Sequence, residues 1–146
     1  MGKTAFSGPV YGAAGHLYSV RFDVSSGAGN GVSTEVGYTV VPTGQDWYIT
    51  DFNVMRMSTG STGLGIALYD DSTVVSSVVL NSSLANASSR VELPPDGGEF
   101  AGVRIAQGST VTIRAIQSSA VAASSGCYAN VLGFVRFVPS TRYADL

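Results

Sequence analysis

The chain has 146 residues and a mass of 15.0 kDa, a size typical of one domain. Charged residues make up 12% of it, about half the fraction usual in globular domains, and the formal net charge is −2. The cations are Lys3 and scattered arginines. Because phosphate binding needs clustered Lys or Arg, this composition argues against a nucleic-acid partner.

The low charge has two interpretations, which do not exclude one another. In the first, Ser and Thr, which are frequent along the whole sequence, cover the surface in place of charged residues. In the second, much of the surface is buried against partners, where charged residues are depleted. Single arginines rather than lysines fit the second interpretation, because Arg suits interface ion pairs and stacking.

Residues 1–16 have no helical or strand period and contain several Gly and Ala. They predict an extended N-terminal arm. Phe6, Val10 and Tyr11 are apolar and flank Pro9, and a purely solvated tail would not need them. We therefore expect the arm to dock on a partner.

From residue 17 the pattern is that of β-strands separated by turn signals. The first half predicts strands at Leu17–Val24, Glu35–Val41 and Trp47–Met57. In the second of these, Val36, Tyr38 and Val40 are expected to share one face. In the third, the inward parity changes between Ile49 and Phe52, which predicts a β-bulge near Thr50-Asp51.

The second half predicts five further elements: strands at Leu64–Tyr69 and Val74–Leu80, a polar connection at Asn81–Arg90, and a hairpin of Phe100–Ile105 with Thr110–Gln117. The last strand, Cys127–Val138, carries apolar residues on both faces, so it is expected to lie between two covered faces. Residues 17–139 form the domain in this interpretation, and residues 140–146 form a C-terminal tail.

Eight to nine strands without an amphipathic helix indicate an all-β, single-domain β-sandwich, most simply a jelly roll. No apolar run approaches the roughly 20 residues of a membrane span, and the N-terminus lacks the apolar core of a signal peptide. We therefore expect no membrane partner.

Residues for catalysis or metal binding are scarce. His16 is the only histidine and Cys127 the only cysteine, too few for a typical zinc site, and a His-based triad would need a rigid anchor that the arm does not offer. Asp70-Asp71 predicts a hairpin turn, with a loop Ca²⁺ site as the alternative. We expect no cofactor and no enzymatic activity.

Two segments carry a resemblance. They are Val41–Phe52 (VPTGQDWYITDF) and Glu99–Ala115 (EFAGVRIAQGSTVTIRA), followed by a closing apolar strand. Together with the opening Thr4–Val10, they resemble head decoration (capsid cement) proteins of tailed bacteriophages, which have a jelly-roll fold. The resemblance covers about two-thirds of the chain.

This resemblance implies a homotrimer on the outer capsid surface of a virion, with the major capsid protein as partner. The arm residues Phe6, Pro9, Val10 and Tyr11 are then expected to contact the capsid. The last strand is expected to form the subunit interface through Leu132, Phe134, Arg136 and Val138.

The alternative function is a tail-fibre or receptor-binding β-sandwich module that recognises a cell-surface glycan. It would present three loops rich in Ser and Gly, at Ser25–Ser33, Ser58–Gly63 and Ser118–Gly126.

Overall fold

The computed structural model describes residues 10–11, 15–24, 33–57, 64–80, 87–93, 102–117 and 125–138. These residues form ten β-strands in two antiparallel sheets, and no helix among them is long and apolar enough to cross a membrane. The strands are β1 (Val10–Tyr11), β2 (Gly15–Val24), β3 (Ser33–Val40), β4 (Gln45–Arg56), β5 (Leu64–Asp70), β6 (Thr73–Leu80), β7 (Ser88–Glu92), β8 (Val103–Ile105), β9 (Thr110–Gln117) and β10 (Ser125–Phe137).

The eight longer strands pair in a nested order. Strand β2 pairs with β10, β3 with β9, β4 with β7, and β5 with β6, as in one long hairpin that has been rolled up. Two further pairings, β10 with β4 and β9 with β5, close the roll. The result is sheet A, in the order β2-β10-β4-β7, and sheet B, in the order β3-β9-β5-β6. This confirms the predicted jelly roll, to which β1 and β8 add short strands beside β10 and β4.

The hydrophobic core lies between the two sheets. Alternate residues of each strand point inward, and fully buried side chains from both sheets meet there, each contributing roughly 1.5–3 kcal/mol by leaving water. They include Ile49, Phe52 and Val54 from sheet A, and Ile66, Leu68, Val111 and Ile113 from sheet B.

The predicted bulge in β4 is confirmed by its register with β10. Leu132 pairs with Asp51 and Gly133 with Ile49, so Thr50 is the extra residue. One extra residue reverses the inward parity, which is why Ile49 and Phe52 both reach the core. The register of β10 with β2 also shifts beside Leu132, so the irregularity continues across three neighbouring strands.

The predicted hairpin of β8 and β9 is wrong, because these strands belong to different sheets. Strand β8 pairs with β4, whereas β9 pairs with β3 and β5. The connection between them is held across the end of the sandwich by two backbone donors. The Gln107 N–H donates to the Asp46 carboxylate at 3.1 Å, and the Gly108 N–H donates to the Val41 carbonyl at 2.9 Å.

The predicted connection at Asn81–Arg90 is partly wrong, because its last three residues begin β7. Residues 81–86 lie outside the described residues. Within β7 only Val91 is apolar, and it packs against the core while its neighbours are polar. A five-residue strand with one apolar residue gives too weak an alternation to be recognised from sequence.

Candidate functional site

Side chains with catalytic potential are dispersed in the described part of the chain. His16 is exposed, and its Nδ1 lies 3.4 Å from the Ser19 hydroxyl oxygen. Cys127 is fully buried in the core, where it behaves as a small apolar side chain. No three His, Cys, Asp or Glu side chains of the described residues are grouped so that they could hold a metal ion.

The predicted turn at Asp70-Asp71 is present between β5 and β6. Asp71 adopts a positive φ of 51°, as tight turns require, and its carboxylate accepts a hydrogen bond from the Thr110 N–H at 2.8 Å. Asp70 carries a raised pKa, because partial burial and then the nearby charge of Asp71 disfavour its ionised form, against a smaller opposing hydrogen bond from Ser109. These contacts explain the acidic pair as a turn tied to β9.

We expect Asp70→Asn to stabilise the protein at neutral pH and not at low pH. A raised pKa in the folded state means that the native protein is favoured while Asp70 is protonated, and that this stability is lost as the pH rises above the ordinary value of 3.8. Unfolding by urea at a series of pH values would measure the difference between the variant and the wild type. A difference that stays constant from pH 3 to pH 7 would contradict this prediction.

Three of the four predicted interface residues lie in the second half of β10, and the fourth, Val138, directly follows the strand. Leu132, Phe134, Arg136 and Val138 are all half-buried. The ring of Phe134 stacks on that of Tyr48 with a centroid distance of 5.2 Å and an interplanar angle of 5°. Phe137, which follows Arg136 and points to the opposite face of the strand, is 45% exposed.

Two residues of the predicted arm join the same region. Val10 and Tyr11 form β1, in which they pair with Phe137 and Arg136 of β10. The other two predicted contact residues, Phe6 and Pro9, lie outside the described residues. We call residues 10–11 together with 132–138 the β10 surface.

The apolar outer face of sheet B was missed by the sequence analysis. The register shift between Glu35 and Gly37 makes Val36 an extra residue in β3. Val36 therefore packs against the core, whereas Tyr38 and Val40 are 61% and 49% exposed. The prediction that Val36, Tyr38 and Val40 share one face is wrong.

In the sequence, Gly37 is the residue that indicates this change of face in β3. A Cβ at Gly37 would lie 2.6 Å from the Tyr18 Oη and 2.8 Å from a methyl carbon of Val20. This glycine therefore points inward toward sheet A, at a point where the two sheets approach closely. An isolated glycine within a strand pattern is a recognised sign of a bulge or a close backbone approach.

The exposed apolar side chains of β6 and β9 lie on the same face as Tyr38. Cross-strand partners share a face of a sheet, so the register gives two rows that run over β3, β9, β5 and β6 in turn. These rows are Tyr38–Thr112–Tyr69–Val74 and Ser33–Ile116–Gly65–Val79. We call the outward residues of these four strands the sheet B face.

Outside the β10 surface, much of the outer face of sheet A is polar by contrast. Arg90 donates to Asp51 at 2.6 Å, and the Asn130 amide donates to Asn53 at 2.9 Å. Arg104 pairs with the buried carboxylate of Asp46 at 2.9 Å. The contacts of Arg90 and Asn130 are typical of a solvated sheet surface, whereas the Asp46 carboxylate is buried.

The loops of the alternative glycan-binding function lie almost entirely outside the described residues. Of the three segments, only Ser33 at the end of the first and residues 125–126 at the end of the third are described. No glycan-binding geometry is therefore defined by them.

No protein-family model and no curated protein matches this chain. Solved structures to which it is similar include PirA, with 18% identity over 78% of this chain and 93% of that chain, at a TM-score of 0.44. A chain of the capsid of Ralstonia phage GP4 has 12% identity over 90% of this chain and 92% of that chain, at a TM-score of 0.42. Bacillus endospore appendages, which are disulfide-linked pili, have 16% identity over 90% of this chain and 89% of that chain, at a TM-score of 0.40. Similarities at these TM-scores assign no function to the chain.

Proposed function

We propose that this chain is a structural virion protein that decorates the outer surface of a phage capsid and bridges neighbouring major capsid subunits. The observation that carries the proposal is the pair of separate apolar surfaces, the β10 surface on sheet A and the sheet B face on the other side of the sandwich. A bridging protein needs more than one contact surface, whereas a catalytic or single-ligand module needs one site.

The part of the β10 surface formed by β1 and Phe137 is the contact to the capsid in this proposal. Phe137 exposes 45% of its area there, and β1 pairs alongside it, so an apolar side chain and the N-terminal segment are presented together. Extended segments that lie on a partner gain main-chain hydrogen bonds as well as apolar contacts. Many weakly bound copies around a shell would then oppose its expansion.

The test is decoration of capsids that lack this protein. Purified wild-type protein is expected to co-sediment with such capsids and to reach saturation. Phe137→Ser is expected to raise the dissociation constant at least ~10-fold, since burying a large apolar side chain contributes roughly 1.5–3 kcal/mol.

Met57→Ser is the matched control, because Met57 is 39% exposed and lies outside both surfaces. It is expected to bind capsids like the wild type. Absence of saturable binding by the wild type at micromolar concentration would reject the decoration function. Wild-type occupancy by Phe137→Ser would reject the part of the β10 surface at β1 and Phe137 as the contact.

A further inference from the structure

The distribution of exposed apolar side chains is strongly one-sided. Eight large hydrophobic residues are exposed in the described part of the chain, and five of them lie on the sheet B face, so this face holds most of the apolar exposure. They are Tyr38, Val40, Val74, Val79 and Ile116. Contiguous exposed apolar patches on a small protein mark interaction sites.

A pair of opposite charges lies between the two rows of this face. Glu35 and Arg114 pair in register across β3 and β9, so opposite signs are neighbours. The Arg114 guanidinium donates to the Ser33 hydroxyl at 2.8 Å and to the Ser33 carbonyl at 3.2 Å. Arg114 therefore contacts β3 through two hydrogen bonds, which would offset part of the cost of removing it from water.

We propose that the sheet B face binds a second copy of this chain. A sheet face packs well against another sheet face at about 10 Å separation, and a second copy supplies one of the same apolar character. The face also carries both charge signs, so contact between two copies can place Glu35 of one near Arg114 of the other. This interface is distinct from the Leu132–Val138 interface that the resemblance implies.

The size of the face fits such a contact. Four strands about 4.8 Å apart and about eight residues long at ~3.4 Å per residue give roughly 500 Å² per copy. Two copies then bury roughly 1,000 Å², which is the lower bound for a specific protein–protein interface. Apolar character of the buried centre is typical of permanent contacts between identical subunits.

The test is the solution mass of the purified full chain, measured by light scattering after size exclusion. The wild type is expected to have at least twice the mass of one chain. Val79→Lys and Tyr38→Lys are expected to have the mass of a monomer, because each places a new charge in the apolar contact and repels its counterpart. Both positions are exposed, at 52% and 61%, so the fold is expected to persist, which a thermal melt checks.

Met55→Lys is the matched control on the outer face of sheet A, where Met55 is 38% exposed. It is expected to keep the wild-type mass. A monomeric wild type at tens of micromolar, or lysine variants that keep the wild-type mass, would overturn the inference. Because no capsid enters this measurement, its result is independent of the decoration function, which the co-sedimentation experiment tests separately.

Discussion

Gly133→Ala is expected to lower the free energy of unfolding by at least ~3 kcal/mol or to prevent folding. Gly133 lies in β10 directly beside the bulge at Thr50, where β4 and β10 approach unusually closely. An added Cβ would overlap the carbonyl oxygen of Tyr48 and lie 3.0 Å from the Cα of Ile49. These are backbone atoms, so the clash cannot be relieved by a rotamer change and the strands themselves must move.

Gly15→Ala is the matched control for this experiment. Gly15 is the residue of β2 that pairs with Gly133, yet a Cβ there would have no atom within 4 Å. Its φ is not in the positive range, so we expect a neutral effect or a gain of up to ~1 kcal/mol from lower entropy of the unfolded chain. Urea denaturation of both variants would measure the contrast, and equal stabilities would show that the β4–β10 approach does not require glycine.

Asp46→Ala is expected to lower the free energy of unfolding by roughly 3 kcal/mol. The Asp46 side chain is almost fully buried, and its carboxylate accepts hydrogen bonds from the Arg104 guanidinium at 2.9 Å and the Gln107 N–H at 3.1 Å. Removing it leaves the Gln107 N–H and the Arg104 guanidinium without this acceptor, and two hydrogen bonds to a charged group are lost. The connection that crosses from sheet A to sheet B depends on this carboxylate.

Asp51→Ala provides the comparison, because Asp51 also pairs with an arginine from a neighbouring strand. The Asp51 side chain is 20% exposed, whereas that of Asp46 is 2% exposed, and solvent screens an exposed ion pair so that its removal costs little. When both variants are denatured under the same salt conditions, their free energies of unfolding are expected to differ by about 2 kcal/mol. If Asp51→Ala were as destabilising as Asp46→Ala, burial of Asp46 would not explain its effect.

Both substitutions bear on function as well as stability. Gly133 sets where the second half of β10 runs, and that half presents Phe137 and pairs with β1. Asp46 holds Gln107 in the connection that leads into β9, whose outward residues Arg114 and Ile116 belong to the sheet B face. A stable variant at Gly133 is therefore expected to weaken the proposed capsid binding, and a stable variant at Asp46 is expected to weaken the proposed self-association.

Alternation of apolar and polar residues along the chain determined the fold class and most strands. The reversal of parity between Ile49 and Phe52 was sufficient to predict the bulge at Thr50, because only one of the two parities can face a single core. Runs of Gly, Ser, Pro and Asp marked the turns. The jelly roll followed from the number of strands and the absence of amphipathic helices.

Only the tertiary structure shows that β8 and β9 pair with different strands and not with each other. A short polar segment between two strands reads as a hairpin turn, yet Asp46, which is more than fifty residues earlier in the sequence, holds this segment across the sandwich. The outward position of Tyr38 and Val40 was hidden for a similar reason. One extra residue at Val36 reverses every side chain that follows it, and its location depends on the register with β9 and on the space that Tyr18 and Val20 leave for Gly37. Local composition determines that a strand forms, whereas its register and its exposed face depend on contacts between residues that are distant in sequence.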